Sequence, residues 1–263
     1  MASALPEFTV RPSALAGLTL VAAHTSWRFA RHTHAVHGIG LIDAGDQTSA
    51  SGRGPVQALR GEVITVNPGE VHDGVPMQGK KRQWRMLNLE SSLWNQERPA
   101  PEWTLPVLRD ARLAALLEAA FACAARGGDA LALEEHLAAL LHHAPSTAAR
   151  PAPRVAGGAA SRALLRARER LADGAPPPSL AELARGAGLG RYAFLRAFAA
   201  AFGLPPHAWA QQQRLARAEA LLARGAALAD AAAASGFADQ SHMTRAFRRF
   251  RGYTPGQYAA RGR

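Results

Sequence analysis

Short apolar runs alternate with turn residues through the first third of the chain. Runs of about four to eight apolar residues bounded by Gly, Pro, Asn or Asp are typical of antiparallel sandwiches and barrels. The predicted strands are Leu18–Ala23, Val36–Ile42, Val56–Leu59, Glu62–Val66 and Gln83–Leu89. From residue 107 the leucines instead follow helical spacing, in one stripe that begins at Leu113 and a second that begins at Leu133. The pattern predicts a β-barrel followed by a helical hairpin.

The periodic face disappears after the predicted hairpin. Residues 146–160 are rich in Pro, Ala and Gly, a composition that is typical of linkers. We therefore predict a first domain over residues 1–145, a linker over 146–160 and a helical domain over 161–263. The predicted fold class is α+β, in which a β-barrel with a helical hairpin precedes an all-α domain.

The predicted helical domain contains an internal repeat. The triplet Arg196-Ala197-Phe198 recurs 49 positions later as Arg245-Ala246-Phe247, and Gly188 recurs 48 positions later as Gly236. In both copies the glycine allows a sharp turn between two helices, because glycine adopts positive φ without steric cost. The repeat predicts two helix-turn-helix units.

The second helix of each predicted unit has an inward and an outward side. Bulky apolar residues spaced i,i+4 face the core, which leaves other side chains outside near the helix N-terminus, where they can contact base edges in the major groove of DNA. Ser179 and Asp239 stand where N-caps belong. The predicted base contacts are Tyr192, Leu195 and Arg196 in the first unit and Gln240, Ser241, His242 and Arg245 in the second. The predicted phosphate contacts are Arg191, Arg248, Arg249 and Arg251.

The net charge of the chain is concentrated in the same region. Of the formal charge of +11, residues 161–263 contribute 16 Lys and Arg against 6 Asp and Glu, whereas residues 1–160 contribute 15 against 14. This asymmetry predicts a polyanion-binding domain attached to a near-neutral one. A helical bundle with solvated arginines would account for a single unit, but two units in tandem with a basic surplus favour DNA binding.

A long C-terminal run resembles the signature of a known family. The run from Ala229 to Phe250, followed by Thr254-Pro255-Gly256-Gln257-Tyr258, is similar to that of the AraC/XylS transcription regulators, and the likeness covers about residues 161–260. It implies two helix-turn-helix subdomains, joined by one long helix, with both recognition helices in successive major grooves. The family often has a polar residue at Leu195, so a contact there would be apolar, for example with a thymine methyl group.

Histidines are concentrated in two motifs of the predicted barrel. His32 and His34 are two residues apart and so share one face of a strand, where they can meet His72. The segments around them resemble the cupin barrel, including the cupin-like sensors of AraC/XylS regulators. The resemblance implies a site for a small-molecule effector, which we expect to involve His32, His34, His72, Glu70 and Trp84.

The same three histidines could hold a divalent metal such as zinc or iron. The glutamate that cupin metal sites usually carry is replaced here by Gly38 or Ile39, and the strand parity of His37 makes it a poor substitute. Histidines in a barrel also bind organic ligands directly or form part of the core. A metal is therefore an option that the protein does not require, and no other cofactor is expected.

Three interpretations of the function remain open. The first is a regulator, and not an enzyme, that binds double-stranded operator DNA under the control of a small-molecule effector. The second is a metal-dependent cupin enzyme with an accessory basic DNA-binding domain, and the third is a nucleoid or RNA-binding protein that uses charge alone. Exposed Gln240, Ser241 and His242 favour base readout over the third interpretation.

Compartment and further partners are indicated less directly. No apolar run reaches membrane-spanning length and the N-terminal residues lack a secretory signal, so we expect a cytoplasmic protein that does not enter the membrane. The single Cys123 is predicted to be a core residue. A homodimer through the hairpin, Val107–His143, is expected if its leucines exceed what one barrel face covers; otherwise the hairpin caps its own barrel. RNA polymerase is a further partner open to a regulator.

Overall fold

The computed structural model describes residues 7–51, 54–95, 99–148, 159–173 and 178–260. Apart from its last four residues, the chain divides into two compact units, one within residues 1–150 and the other within residues 151–259. The middle of the predicted linker, residues 149–158, lies outside the described residues. In the described ranges no helix combines the length and the apolar composition that crossing a bilayer requires.

The described part of the first unit contains twelve strands and two α-helices. The strands are β1 (Glu7–Pro12), β2 (Leu18–Thr25), β3 (Phe29–His32), β4 (His37–Ala44), β5 (Gln47–Ser51), β6 (Gly54–Ala58), β7 (Val63–Val66), β8 (His72–Pro76), β9 (Arg82–Leu89), β10 (Pro101–Trp103), β11 (Val107–Leu108) and β12 (Ser146–Ala148). The helices are α1 (Ala111–Ala125) and α2 (Ala130–His143).

Two antiparallel sheets form the barrel. One has the strand order β1-β2-β9-β4-β7-β11 and the other β3-β8-β5-β6, while β10 and β12 form a separate pair. All five predicted strands are present, and the predicted barrel-and-hairpin fold is confirmed. The six-stranded sheet is covered on both faces. Leu87 and Leu89 of β9 lie on the face toward the helices, and Trp84 and Met86 lie on the face toward the second sheet.

The helical hairpin packs on the outer face of the six-stranded sheet. Leu113, Leu117 and Leu133 are at most 2% exposed and share one core with Ile39 and Leu87. Each such leucine stabilises the fold by about 1.5–3 kcal/mol relative to an exposed position. The hairpin therefore caps its own barrel, while Leu131 on α2 is still 67% exposed, and the homodimer stays a prediction.

The start of the hairpin differs from the prediction. Val107–Leu108 form a strand that pairs with β7, and α1 begins only after Asp110, whose carboxylate accepts a hydrogen bond from the backbone N–H of Leu113. The helical spacing therefore begins about four residues later than predicted, since the cap at Asp110 sets the helix N-terminus. Cys123 is buried in the same core, as predicted.

The described part of the second unit is entirely helical. Its helices are α3 (Ala159–Ala172), α4 (Leu180–Gly186), α5 (Arg191–Phe202), α6 (Pro206–Ala223), α7 (Leu228–Ala234), α8 (Gln240–Arg251) and α9 (Pro255–Ala259). α4 with α5 and α7 with α8 form the two predicted helix-turn-helix units, which α6 joins. Their turns contain Gly188 at φ +65° and Gly236 at φ +79°, a backbone conformation that L-residues with side chains rarely adopt.

The bulky residues of α5 and α8 fix which side of each helix is exposed. Phe194 and Phe198 on α5, and Met243 and Phe247 on α8, are 0% exposed. Spaced i,i+4, they occupy one side of each helix and leave the remaining side chains toward solvent. The two outer faces are thus set by core packing.

Candidate functional site

Helix α8 presents a polar and basic outer face. Its exposed side chains are Gln240, Ser241, Arg245, Arg248 and Arg249. His242 is less free than predicted, because its ring packs edge-on against Phe237 with 5.3 Å between centroids. The backbone N–H of His242 donates to the Asp239 carboxylate at 2.6 Å, so the predicted N-cap is present.

Helix α5 presents a less polar outer face. Tyr192 is 80% exposed, Arg191 and Arg196 are exposed, and Leu195 is half-buried. Tyr192 and Arg196 are spaced i,i+4 and lie on the same side of the helix. A phenol, an aliphatic side chain and a guanidinium can contact thymine methyl groups and guanine, but they offer fewer hydrogen bonds than the face of α8.

One predicted phosphate contact is wrong. Arg251 is 3% exposed, and its guanidinium donates two hydrogen bonds to the carboxylate of Glu219 on α6, at 2.6 and 3.0 Å, and one to Gln212 at 3.3 Å. Burial lowers the pKa of Arg251, but the adjacent Glu219 carboxylate more than offsets this, so the pKa is raised overall. Arg251 joins α8 to α6 and cannot reach a phosphate, whereas Arg248 and Arg249 remain outside.

The three histidines of the barrel converge as predicted. The Nε2 atoms of His32 and His34 are 3.1 Å apart, and the ring of His72 lies 4.4 Å from that of His32 and 5.2 Å from that of His34, between centroids. One nitrogen from each ring lies within 4.8 Å of the others. In the described part of the chain this is the one group of three or more potential ligand residues close enough to share a metal ion. His32 ends β3 and opposes His72 at the start of β8, so strand register brings the two together.

Backbone carbonyls orient two of the three rings. Nδ1 of His32 lies 2.7 Å from the carbonyl oxygen of Ala30, and Nδ1 of His72 lies 3.1 Å from that of Glu70. A carbonyl oxygen only accepts, so both Nδ1 atoms carry the proton and each neutral ring keeps its Nε2 lone pair. Carbonyl-oriented imidazoles are the usual ligands of zinc and related divalent metals, so the donor set fits such an ion.

The other predicted effector contacts lie around this cluster in different ways. The Glu70 carboxylate accepts hydrogen bonds from the backbone and side chain of Asn67, and only its backbone carbonyl contacts His72. Trp84 is half-buried on the inner face of the six-stranded sheet, edge-on to Phe8. His37 lies apart from the cluster, but not for the predicted reason of strand parity, because it begins β4 in the six-stranded sheet whereas His32 ends β3 in the other sheet. Its Nε2 pairs with the carbonyl oxygen of Pro101, and burial lowers its pKa.

A buried arginine at the inner face of the barrel was not predicted. Arg82, the first residue of β9, is 1% exposed and packs 5.8 Å from the centre of the Phe29 ring. Phe29 in turn contacts His32, with 5.8 Å between ring centroids. The basic stretch Lys80-Lys81-Arg82 is typical of an exposed turn, and the only sequence signal for burial was the two-residue spacing of Arg82 from Trp84.

Two family models match the chain. Residues 15–141 match the AraC-like ligand binding domain, and residues 183–261 match a helix-turn-helix domain. The virulence regulon transcriptional activator VirF of Yersinia enterocolitica and the thermoregulatory protein LcrF of Yersinia pestis are each 37% identical over 79 residues. That match covers 30% of this chain and spans 29% of each relative.

Solved structures resemble the chain over nearly its whole length. An apo variant of ToxT from Vibrio cholerae superposes with a TM-score of 0.56 at 11% identity, covering 96% of this chain and all of that one. Wild-type ToxT with a bound unsaturated fatty acid gives a TM-score of 0.53 at 11% identity, covering 98% of this chain and 96% of that one. At this identity the likeness concerns the fold alone. A ligand-binding barrel and a tandem helix-turn-helix domain, each matched by its own model, place this chain in the AraC/XylS family of transcription regulators.

Proposed function

We propose that this protein is a sequence-specific DNA-binding transcription regulator whose activity is controlled by a small molecule bound in its barrel. The observation that carries the proposal is the pair of helix-turn-helix units, each of which exposes the non-core side of its second helix. The proposed partners are a double-stranded operator, a small-molecule effector and RNA polymerase, in the cytoplasm.

DNA recognition is assigned to the outer faces of α5 and α8. Arg196 and Arg245 occupy equivalent places in the repeat, are both exposed, and carry a guanidinium that can pair with the O6 and N7 of guanine. Arg248 and Arg249 lie farther along α8 and are suited to phosphates. This division into base contacts and phosphate contacts is what sequence-specific binding requires.

Effector binding is assigned to the barrel, at the cluster of His32, His34 and His72. Such converging polar side chains beside apolar ones are typical of small-molecule sites. The unsaturated fatty acid bound to ToxT is consistent with a barrel that takes an organic ligand. To act as a switch, the effector must bind more tightly to one functional state of the protein than to the other.

A divalent cation is a further proposed occupant of the three-histidine cluster. The Nε2 lone pairs of His32 and His72 are directed by carbonyls, and His34 Nε2 lies within 3.1 Å of His32 Nε2. A bound cation would supply a positive charge for an oxygen of the effector. Titration of the metal-free protein with zinc, followed by calorimetry, tests this, and His72→Ala should weaken zinc binding by at least tenfold. Equal zinc binding by the variant would contradict it.

Selection from a random DNA library tests the main proposal. The full chain should enrich a sequence with two recognition elements about 10 base pairs apart, because successive major grooves on one face of the duplex have that spacing. Substitution of Arg245 should remove the enrichment of one element only. Binding that depends on salt but enriches no sequence would instead support the nucleoid or RNA-binding interpretation.

A reporter driven by the native promoter tests effector sensing. The double variant His32→Ala, His72→Ala should lose its response to the inducing compound while it still folds and binds DNA. His24→Ala, an exposed histidine on β2, is the matched control and should respond as the wild type does. An unchanged dose response in the double variant would place the sensing site elsewhere.

An enzyme with this barrel would need groups that exchange protons with a substrate near the histidine cluster. The family consists of transcription regulators, and the carboxylates beside His72 are already engaged. Glu70 bonds Asn67, and Asp73 accepts the backbone N–H of Ala50 at 2.7 Å. General acid–base chemistry at this site would therefore depend on the imidazoles alone. The attachment of the barrel to two helix-turn-helix units favours sensing over turnover. We therefore propose sensing without turnover.

A further inference from the structure

Arg82 is a buried cation that no described carboxylate balances. Its guanidinium donates to two backbone carbonyls, those of Trp27 at 3.1 Å and Gly74 at 3.2 Å, while its Nε is buried without a hydrogen-bond partner. Burial lowers the pKa of Arg82 to about 10, with no carboxylate to offset it. The side chain is therefore still charged at neutral pH, and a buried charge without a counterion is unfavourable.

The other fully buried arginine of the described chain shows the contrast. Arg251 is as deeply buried as Arg82, yet it lies against the Glu219 carboxylate with two hydrogen bonds. Arg85, three residues beyond Arg82 on β9, also pairs with a carboxylate, that of Asp43, at 2.6 Å. Arg82 thus lacks the kind of partner that Arg85 and Arg251 have.

The surroundings of Arg82 indicate where a partner would come from. Arg82, Trp84 and Met86 alternate along β9 and share the inner face of the barrel. Trp84 and Met86 are only half-buried, although they face the second sheet, so part of this inner surface is accessible. On the other side, the Phe29 ring contacts both the Arg82 guanidinium and the ring of His32. Arg82 therefore shares its face with the apolar surface, and the Phe29 ring connects it to the histidine cluster.

We propose that Arg82 is the subsite for the carboxylate of an organic acid, which supplies the missing counterion while its apolar body lies against Trp84 and Met86. This proposal rests on the proposed effector-sensing function and names the chemical class of the effector. A carboxylate has two oxygens that can accept two parallel hydrogen bonds from a guanidinium, together with a negative charge that balances it. A neutral ligand lacks that charge, and a ligand with a single acceptor atom cannot accept both hydrogen bonds. An alcohol, amide or sugar of the same shape would leave the charge unbalanced.

Arg82 also has a structural role that the test must separate from binding. One of its hydrogen bonds joins β9 to Gly74 on β8 of the second sheet, and the other joins β9 to Trp27 in the segment between β2 and β3. Gly74 makes room for the guanidinium, because a Cβ there would lie 3.2 Å from Nη2. A purely structural arginine would affect the stability of the barrel equally with every ligand. An anion subsite distinguishes an acid from its uncharged analogue.

The experiment measures binding of matched acid and amide pairs to the full-length protein. The probes are propionate, octanoate, benzoate and cinnamate, each paired with its primary amide, by calorimetry in EDTA so that no metal supplies the preference for anions. At least one acid should bind the wild type about tenfold more tightly than its amide. Arg82→Gln should abolish that preference, while Arg28→Gln, an exposed arginine beside Trp27, should keep it.

Arg82→Lys covers the case in which the glutamine variant does not fold. The lysine keeps the charge but cannot donate two parallel hydrogen bonds, so the acid should bind at least threefold more weakly than to the wild type. The proposal is overturned if no acid is preferred over its amide, if the preference survives in folded Arg82→Gln, or if Arg82→Lys binds the acid as the wild type does. Specific DNA binding, measured on the same samples, tests the proposed function independently of these outcomes.

Discussion

The two helix-turn-helix units derive from one repeat but differ in chemistry at equivalent positions. The first helix of unit one is capped by a reciprocal pair, Ser179 and Glu182, while its second helix starts at Gly190 without a side-chain cap. In unit two the arrangement is reversed, because Ala227 offers no cap and Asp239 caps the recognition helix. A helix N-terminus has unsatisfied N–H groups, so the cap sets which helix is better anchored.

The outer face of α8, the helix that has the side-chain cap, is also the more polar and more basic of the two outer faces. Forty-nine positions before Arg248 and Arg249, α5 has Ala199 and Ala200. Unit two therefore combines a capped helix, hydrogen-bonding side chains and the proposed phosphate contacts, whereas the proposed base contacts of unit one are Tyr192, Leu195 and Arg196. From this difference we expect unit two to contribute most of the DNA affinity and unit one to add discrimination.

The largest expected effect concerns the position at which unit two has Arg251 and unit one has Phe202. The Glu219 side chain is only 14% exposed, and Arg251→Met removes the partner of its carboxylate. The variant should therefore lower the free energy of unfolding by about 3–5 kcal/mol. Phe202→Leu, at the equivalent half-buried position in unit one, should cost less than about 1.5 kcal/mol. Urea unfolding followed by circular dichroism measures both.

The double variant Arg251→Met, Glu219→Leu supplies the control for that comparison. Replacing both charged partners by apolar residues removes the unpaired charge, so most of the lost stability should return. If the double variant is as unstable as Arg251→Met alone, packing at this position, and not charge pairing, holds α8 against α6.

The sequence predicted what depends on local chemistry. Gly188 and Gly236 mark the turns because few other residues tolerate positive φ, and Asp239 marks a helix start through its own side chain. Arg251 was misassigned because its partner lies 32 residues away on α6, and an arginine next to two exposed arginines has no local sign of burial.

The barrel shows the same limit of prediction. Five strands were predicted, but β1 was missed although its apolar residues Phe8 and Val10 alternate. β3, β5 and β8 were missed because they are short and contain polar residues or glycine, which resemble loops. The histidine cluster was predicted from the two-residue spacing of His32 and His34 on one strand, although β3 ends at His32 and His34 follows it outside the strand. The burial of Arg82 was not predicted, because its guanidinium is held by the carbonyls of Trp27 and Gly74, and only the folded barrel brings these carbonyls close to it.

The next expected effect is on base recognition. Arg245→Ala should weaken binding to the selected DNA by about 1–3 kcal/mol, and Arg196→Ala should do the same for the other recognition element, with little change on random DNA. Quantitative gel shifts on both kinds of DNA measure this. Equal losses on specific and random DNA would make these arginines phosphate contacts and would remove the proposed difference in roles.

A smaller effect is expected from the phosphate contacts. The double variant Arg248→Ala, Arg249→Ala should reduce the slope of log affinity against log salt by about 2, because each arginine neutralises one phosphate. Ala200→Arg introduces an arginine at the exposed position in unit one that corresponds to Arg249 and should raise the slope by about 1. If the double variant Arg248→Ala, Arg249→Ala leaves the salt slope unchanged, these two arginines do not contact the phosphate backbone of the DNA.

The smallest effect is expected from giving unit one the cap that its recognition helix lacks. Gly190 precedes α5 at φ −68° and ψ 154°, an extended conformation that any residue can adopt, and a Cβ there meets nothing within 4 Å. Gly190→Ser should stabilise the second unit by about 0.5–1 kcal/mol, because the hydroxyl can accept an N–H of the first turn and the unfolded chain loses freedom. Asp239→Ala, which removes the existing cap of α8, should cost about 0.5–2 kcal/mol in the same denaturation assay. If the missing cap weakens the binding of α5 to DNA, Gly190→Ser should also raise the affinity for the DNA element that unit one recognises, without changing the affinity for the other element. A gain in stability with no change in affinity would instead show that α5 is already fully ordered before it binds.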